Sequence, residues 1–234
     1  MEKYRGKEYL VKKLNKKRTR VLTRYKYYEM KSAPVDPGVT IPKHLKQQYK
    51  SVLGWCAKSV DSLADRLVFR EFENDNFDLN EIFRLNNPDV YFDSAVLSAL
   101  ISSCCFTYIH PDEDGYPALQ VIDGANATGI VDDRTGLLVE GYAVLDRDDH
   151  GSPIMEAYFT AEGTEYFGAG GYYEYYPHNV GIPLLVPIIN RPDAVRPFGH
   201  SRISRACMRL QDQALTSPAS SNSGVVPLAK ECAK

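Results

Sequence analysis

The sequence predicts an α+β fold with N-terminal helices, an antiparallel β-meander and a C-terminal helix. In the N-terminal part, apolar side chains recur at steps of three and four residues, as in helices that bury one face. The period then changes to two, and short apolar runs alternate with clusters of Asp, Gly and Asn that favour tight turns. After Ser201 the helical period returns. Strands joined by short turns indicate antiparallel pairing, because parallel pairing needs long crossover connections.

Three long helices are predicted before the first strand. Tyr9–Met30 carries a narrow apolar stripe, so this helix is expected to lie on a larger body. Residues 32–42 contain three prolines and are predicted to form a linker, because proline interrupts helices. Lys43–Phe69 has the strongest helical pattern, and Pro88–Ser103 is apolar nearly all round, which indicates a buried helix. The residues expected to pack these two helices together are Leu63, Leu67, Val96, Leu97, Leu100 and Ile101.

The meander and the last helix follow. The predicted strands are Phe106–Ile109, Leu119–Ile122, Gly129–Val131, Leu137–Leu145, Ile154–Thr160, Thr164–Phe167, Tyr172–Tyr176 and Leu184–Ile189. The last helix is predicted to begin near Ser201, whose hydroxyl suits an N-cap. It is predicted to end near Thr216, because Pro218 cannot donate a helical hydrogen bond.

Composition excludes several classes of protein. With 44% apolar and 25% charged residues, the 234-residue chain is typical of a globular domain, not of collagen or a disordered tail. No run of about eighteen apolar residues occurs, so no membrane-spanning helix and no membrane partner are predicted. The five cysteines include no C-x-x-C pair, which favours reduced thiols over a disulfide framework or a zinc site.

Charge is distributed unevenly along the chain. Residues 1–31 carry twelve Lys or Arg and three Asp or Glu, a net charge of +9, whereas the remainder carries a net charge of −11. A solvated helix would account for such an excess, but a basic segment also binds polyanions or acidic protein surfaces. The residues predicted to make such contacts are Lys12, Lys13, Lys16, Lys17, Arg18 and Arg20.

The sequence contains only fragments of catalytic signatures. Gly199-His200-Ser201 lacks the second glycine of a nucleophile elbow, since residue 203 is Ile. The five histidines have no second ligand at helical or short spacing, and Asp112–Gly115 does not continue as an EF-hand loop. The sequence contains no P-loop motif. It therefore predicts no catalytic residue, no metal site and no cofactor, and the protein is not expected to be an enzyme.

Four blocks in a fixed order carry a family resemblance. They are Asp61–Leu67 (DSLADRL), Asn86-Asn87, Gly181–Pro192 (GIPLLVPIINRP), and Gly199–Ser204 (GHSRIS) followed by Leu210-Gln211-Asp212. Their order and spacing are more specific than any one of them. From about residue 20 to 216, the chain resembles the portal (head–tail connector) proteins of tailed bacteriophages, of the siphophage type.

The resemblance implies a structural role. Portal proteins form a ring, normally of twelve subunits, at one capsid vertex, and double-stranded DNA passes through it during packaging and ejection. The resemblance therefore implies contacts with other copies of the chain, the capsid protein, the terminase, a head–tail adaptor and DNA. It implies neither enzymatic activity nor a cofactor. It also implies assembly in the host cytoplasm and a final location in the virion, at the portal vertex.

The resemblance covers only the N-terminal half of the family's proteins. Relatives continue after the Leu210 helix into the clip, the second stem helix, the tunnel loop and the crown, so this chain is expected to be a truncated form with the wing and the start of the stem. The expected organisation is a basic N-terminal helical arm at 1–31, a linker at 32–42, a helix and antiparallel-sheet wing domain at 43–200, a stem-like helix at 201–216 and an irregular tail at 217–234.

Two other functions are alternatives to this interpretation. An intracellular hydrolase on the β-meander would use paired acids such as Asp132 and Asp133, although neighbouring acids in a D-D-R-T-G turn are usually solvated. A standalone nucleic-acid-binding module would use the basic arm alone. Rings, a catalytic cleft and salt-sensitive DNA binding are the properties that distinguish the three functions.

Overall fold

The computed structural model describes residues 4–32, 53–73 and 77–220, with side chains up to residue 214 in the last helix. The helices are α1 (Lys7–Tyr28), α2 (Trp55–Ala64), α3 (Leu79–Leu85), α4 (Pro88–Ser102) and α5 (Arg205–Ser220). The strands are β1 (Cys104–Pro111), β2 (Pro117–Ile122), β3 (Ala127–Val131), β4 (Leu138–Arg147), β5 (Pro153–Phe159), β6 (Gly163–Gly168), β7 (Tyr173–Pro177) and β8 (Leu185–Ile189). The predicted linker from residue 33, the predicted helical residues 43–52 and the predicted tail from residue 221 lie outside the described residues.

The strands form two antiparallel sheets, and the predicted α+β class is confirmed. The smaller sheet has the order β2–β1–β8, and the larger sheet is a meander from β3 to β7. Strand β8 does not extend the meander but pairs with β1, where Phe106 lies opposite Pro187. Since β8 is an edge strand, a proline without an N–H group is tolerated there.

The main core lies between the two sheets. Phe106 of β1, Phe159 of β5 and Leu185 of β8 are buried in one apolar cluster. Along β1 the side chains alternate, so that Phe106 faces the larger sheet whereas Cys105 packs against α4 with its Sγ 3.2 Å from the Ala95 carbonyl oxygen. The smaller sheet therefore has α4 on one face and the larger sheet on the other.

Helix α1 packs on two different parts of the body. Near its start, Leu10 and Leu14 are buried against the face of the larger sheet that points away from the main core; this face carries Tyr142, Val144 and Tyr158. Near its end, Tyr25, Tyr27 and Tyr28 pack against a cluster of residues from α2, α4 and the segment around Ile203. The narrow apolar stripe of α1 is sufficient because successive parts of it are buried against different partners.

A buried carboxylate fixes the start of α1. Glu140 of β4 is fully buried. Its Oε1 accepts a hydrogen bond from Arg5 N at 2.9 Å, and its Oε2 accepts one from Gly6 N at 3.1 Å. The Tyr158 hydroxyl also donates to Oε2, at 2.6 Å. These donors compensate for the burial of the carboxylate, and its position near the helix N-terminus is favoured by the helix dipole.

Of the predicted helix Lys43–Phe69, residues 55–64 are helical as predicted, whereas the described residues 53–54 and 65–69 are not. Residues 53 and 54 are not helical, and α2 begins at Trp55 after Gly54 and ends at Ala64. At the start of α2, Gly54 is unfavourable inside a helix. Beyond the end of α2, the ring of Phe69 stacks on that of Phe92 with their centroids 4.0 Å apart. The chain therefore leaves the helical path to make an aromatic contact.

Because the chain leaves the helical path after Ala64, only some of the predicted core residues are buried. Leu67 is 48% exposed, so its predicted place in the core is wrong. Leu100 and Ile101 are buried in the cluster shared by α2 and α4, as predicted. The half-buried members that pack against that cluster include Leu63, Val96 and Leu97.

The last helix begins and ends later than predicted. Helix α5 begins at Arg205, and Ser204 acts as its cap because its Oγ accepts a hydrogen bond from Cys207 N at 3.1 Å. The predicted N-cap at Ser201 is therefore wrong. The helix continues through Pro218 to Ser220, which corrects the predicted end near Thr216. A proline this near the end of a helix removes one i→i−4 hydrogen bond and leaves the earlier turns intact.

We predict that Glu140→Gln destabilises the fold by on the order of 1–3 kcal/mol, because an amide nitrogen cannot accept a hydrogen bond from the buried donors around it. Urea unfolding followed by far-UV circular dichroism measures this change. Glu162→Gln is the matched control, since residue 162 is exposed. Equal midpoints for the two variants would contradict the role of Glu140.

Candidate functional site

Two of the blocks that carry the family resemblance meet at the C-terminal end of α4. The last carbonyl groups of an α-helix have no partner inside the helix and need donors from elsewhere. The Leu100 carbonyl oxygen accepts a hydrogen bond from Arg202 N at 2.9 Å. The Ile101 carbonyl oxygen accepts one from Ser201 Oγ at 2.5 Å. The hydroxyl of Ser201 therefore caps the end of α4, not the start of α5.

The next two carbonyl groups are bonded by other parts of the chain. Arg24 of α1 donates from Nη1 to the Ser102 carbonyl oxygen at 2.7 Å. Asn190, just after β8, donates its backbone N–H to the Ser103 carbonyl oxygen at 2.9 Å. We call this arrangement the junction: it consists of the backbone carbonyls of residues 100–103 and these four donor residues. It joins α1, α4, β8 and the entry to α5 through hydrogen bonds to backbone groups.

The loop between β8 and α5 is closed by a second pair of hydrogen bonds. His200 N donates to the Asn190 carbonyl oxygen at 2.8 Å, and Asn190 Nδ2 donates to the His200 carbonyl oxygen at 2.6 Å. Gly199 makes this closure possible, since its φ is +67° and an added Cβ would lie 2.2 Å from the Asn190 carbonyl oxygen. The N-R-P and G-x-S parts of the resemblance therefore form one local structure.

The L-Q-D block attaches α5 to the body. Gln211 is buried, and its Oε1 accepts a hydrogen bond from Cys56 N, at the start of α2, at 3.1 Å. Asp212 Oδ2 accepts one from the Tyr27 hydroxyl of α1 at 2.7 Å. Leu210 points outward and is 57% exposed. The polar members of the block hold α5 in place, whereas its apolar member is available for contacts outside the chain.

The polar groups of the β8–α5 loop do not form a nucleophile and base pair. Asp193 Oδ2 lies 2.5 Å from His200 Nε2, and Arg196 Nη1 donates to His200 Nδ1 at 3.2 Å. Both ring nitrogens are therefore occupied, and Ser201 Oγ is bonded to a backbone carbonyl instead. The hydrogen bond from His200 lowers the pKa of Asp193. The loop is thus an exposed ionic cluster without an activated hydroxyl.

The acids proposed for a hydrolase do not form a cleft. Asp132 is exposed, and hydrogen bonds from Arg134 N and Thr135 Oγ1 lower its pKa, so it is a poor proton donor at neutral pH. A cleft of about 270 Å³ lies elsewhere, beside Tyr25, Ser98 and Asp123. The hydroxyls of Tyr25 and Ser98 are 3.0 Å apart and bond each other.

Metal sites and membrane-spanning helices are both absent from the described ranges. No group of three or more His, Cys, Asp or Glu side chains there could hold a metal ion. No helix in those ranges combines the length and apolar character needed to cross a bilayer.

The six cations predicted to contact a partner lie on two faces of α1. Lys12, Lys16 and Arg20 are exposed and follow one another at four-residue steps along the outer face. The remaining three, Lys13, Lys17 and Arg18, are half-buried. The sequence did not separate these two groups, because formal charge alone does not show which face of a helix is covered.

The inward lysines interact with the body. Lys13 Nζ donates to the Gly129 carbonyl oxygen at 2.7 Å and lies 4.8 Å from the centre of the Phe198 ring. Burial and the neighbouring Lys17 lower the pKa of Lys13 to about 8. Lys17 Nζ lies 5.2 Å from the centre of the Phe106 ring, and burial lowers its pKa as well. Arg18 Nε is buried without a hydrogen-bond partner.

Comparison with known proteins gives a partial match. A portal protein of Mycobacterium phage L5 is 27% identical over 206 residues, which cover 80% of this chain. The chain is similar to a phage portal protein. It spans 42% of the length of that relative. No protein-family model matches the chain.

Sequence reasoning identified the motif blocks but missed how their residues are used. No sequence pattern predicts a role for Asn190 or Gln211, and the charge of Arg24 indicates only that it belongs to the basic arm. Asn190 stands at the end of an apolar run, which signals a strand end but not the helix that it meets. The partner of Gln211 lies 155 residues away, a separation that no local pattern reveals.

We predict that Gly199→Ala destabilises the fold more than Gly136→Ala does. Both glycines have a positive φ, which costs a residue with a Cβ roughly 1–2 kcal/mol. Only at Gly199 does the added Cβ also collide with a backbone oxygen, whereas at Gly136 no atom lies within 4 Å. Chemical denaturation gives the free energy of unfolding of both variants, and the difference between them measures the cost of the collision. Equal losses of stability would show that the junction loop accommodates the methyl group.

We predict that Lys13 makes a contribution to stability that rises with pH above about 8, and that Lys13→Met removes this contribution. The folded pKa of Lys13 is lowered from 10.5 to about 8, so between these values the unfolded chain binds a proton that the folded chain has released. The contribution of Lys13 to the free energy of unfolding then increases with pH across this window. Urea midpoints at about pH 7.5 and about pH 9.5, measured in reductant, test this. An equal pH response in the wild type and the variant would contradict it.

Proposed function

We propose that the protein is a portal subunit of a tailed phage, which assembles with other copies into a ring at one capsid vertex. The observation that carries the proposal is the family resemblance, two separate blocks of which meet at the junction in one capping network. The similarity to the portal protein of phage L5 supports the same function. Neither a hydrolase nor a separate nucleic-acid module has comparable support.

The attachment of α5 to the body suits a component that has to hold this helix in a fixed position. Helix α5 is attached through the buried Gln211, the fully buried Ile203 and the hydrogen bond between Asp212 and Tyr27. The hydrogen bond from Cys56 N to Gln211 Oε1 joins two neutral groups, so salt weakens it less than it weakens surface ion pairs. In the proposed ring, residues 43–200 form the wing and α5 begins the stem that lines the channel.

The charge distribution supports head-to-tail contact between copies. The outer face of α1 presents Lys12, Lys16 and Arg20, whereas the chain beyond residue 31 has a net charge of −11. A basic face on one copy and an acidic surface on the next form a heterologous interface, which closes into a ring when the rotation allows. Twelve copies, as in the family, are the proposed stoichiometry.

An acidic body is compatible with the passage of DNA. Many Lys and Arg contacts to phosphates would hold the duplex in place, whereas a channel has to let it slide. The terminase, a head–tail adaptor and the capsid protein are the other proposed partners, and the proposed location is the portal vertex of the virion. The proposed role requires no enzymatic activity and no cofactor.

Immunogold electron microscopy of the phage that encodes this chain tests the proposal. Antibodies raised against the purified chain should label capsids at one vertex, or tail-less capsids at the same single position. Label spread over the capsid surface, label on the tail alone or an absence of the protein from virions would overturn it.

We predict that removing the outer cations of α1 weakens self-association. The variant Lys12→Gln, Lys16→Gln, Arg20→Gln should reduce the association constant on the order of tenfold at low salt, because exposed contacts contribute about 0–1 kcal/mol each. Sedimentation velocity over a salt series measures this, and the difference from wild type should shrink as salt rises.

The matched control removes three exposed cations elsewhere. Lys58→Gln, Arg66→Gln, Arg70→Gln changes the net charge equally but leaves α1 intact. An equal effect of both triple variants would show that net charge, not the outer face of α1, governs association. A loss of DNA binding with unchanged self-association would assign that face to a polyanion instead.

A further inference from the structure

The first turns of α2 and α5 bring two cysteine side chains together. Cys56 Sγ and Cys207 Sγ lie 3.3 Å apart, although the residues are 151 positions apart in the sequence. Cys56 is fully buried, whereas Cys207 is half-buried. No local sequence pattern predicts this pair.

The surrounding contacts hold the two helices in this arrangement. Gln211 lies one helical turn after Cys207, and its Oε1 accepts the hydrogen bond from Cys56 N. The Cys207 backbone N–H is fixed in turn by the Oγ of Ser204 at 3.1 Å. Both helix starts are therefore positioned by hydrogen bonds that do not involve the sulfur atoms.

We propose that Cys56 and Cys207 form an oxidative modification site that closes to an intramolecular disulfide. A disulfide requires the sulfur atoms to approach from 3.3 Å to about 2.05 Å, a movement of about 1.3 Å. This movement is within the range of a small side-chain rotation. The bond would fix the start of α5 to the start of α2.

The oxidant in the proposed step is a diazene such as diamide. The sulfur of Cys207, the more accessible residue, adds to one nitrogen of the N=N bond, and its proton goes to the other nitrogen. The sulfur of Cys56 then displaces the hydrazine from Cys207, and its proton goes to the leaving nitrogen. Two S–H bonds break, one S–S bond forms, and the diazene is reduced to the hydrazine.

The described surroundings of the other thiols favour this pairing. Cys104 and Cys105 are neighbours on β1, so their side chains point to opposite faces of the sheet. Cys105 Sγ donates to the Ala95 carbonyl oxygen at 3.2 Å, and Cys104 lies in the core between the sheets. Burial raises the pKa of Cys56 to about 12, so its thiol is the poorer nucleophile for the first addition, and that step is assigned to Cys207.

Peptide mapping of the full chain tests the proposal. The protein at low concentration is treated with diamide, its remaining thiols are blocked with N-ethylmaleimide, and its tryptic peptides are analysed by mass spectrometry without reduction. We expect a linked pair of peptides that contain Cys56 and Cys207, with the loss of two hydrogen masses. Maleimide on both residues, or a predominance of any other linked pair, would overturn the proposal.

Two variants give an independent readout. Cys207→Ser should abolish the linked peptide and also the increase in melting temperature that diamide produces in the wild type, because a cross-link restricts the unfolded chain. Cys104→Ser is the matched control and should retain both effects. A diamide-dependent increase in melting temperature that persists in Cys207→Ser would assign the cross-link to other residues.

Discussion

The backbone carbonyl groups at the end of α4 require donors that α4 itself cannot supply. Arg24 of α1, Asn190 after β8 and the Ser201-Arg202 turn before α5 supply them. An unpaired buried carbonyl costs free energy comparable to a lost hydrogen bond, so the positions of these three segments are coupled. The packing of α1, the path of the β8–α5 loop and the direction of α5 all depend on this one requirement.

Helix α1 illustrates how a weakly apolar element is stabilised by its neighbours. Its stripe buries Leu10 and Leu14 on the larger sheet, and its end meets the helix cluster, but polar bonds determine its position. Glu140 holds its start, Lys7 pairs with Glu156 at 2.7 Å, and Arg24 reaches the junction. Apolar burial provides attraction without direction, whereas these hydrogen bonds and ion pairs define one orientation.

The same geometry changes how the basic arm should be interpreted. A net charge of +9 in residues 1–31 suggests one cationic surface, yet three of the six candidate residues face the body. Desolvation lowers the pKa of Lys13 and Lys17, so that their charge is less favourable in the folded state. Of these six candidates, the outer row at Lys12, Lys16 and Arg20 has the exposure that a partner contact requires.

Local patterns in the sequence determined the α+β class, the meander and the absence of a recognisable catalytic motif, because periods of two and about 3.6 residues report which face of an element is buried. The order of the motif blocks along the chain is also visible in the sequence itself. Tertiary structure alone decided that α2 begins at Trp55 and ends at Ala64, that Ser201 caps α4 and that Cys56 meets Cys207. These features depend on contacts between residues up to about 150 positions apart. A side chain's spacing along its own element does not specify which distant element will lie against it.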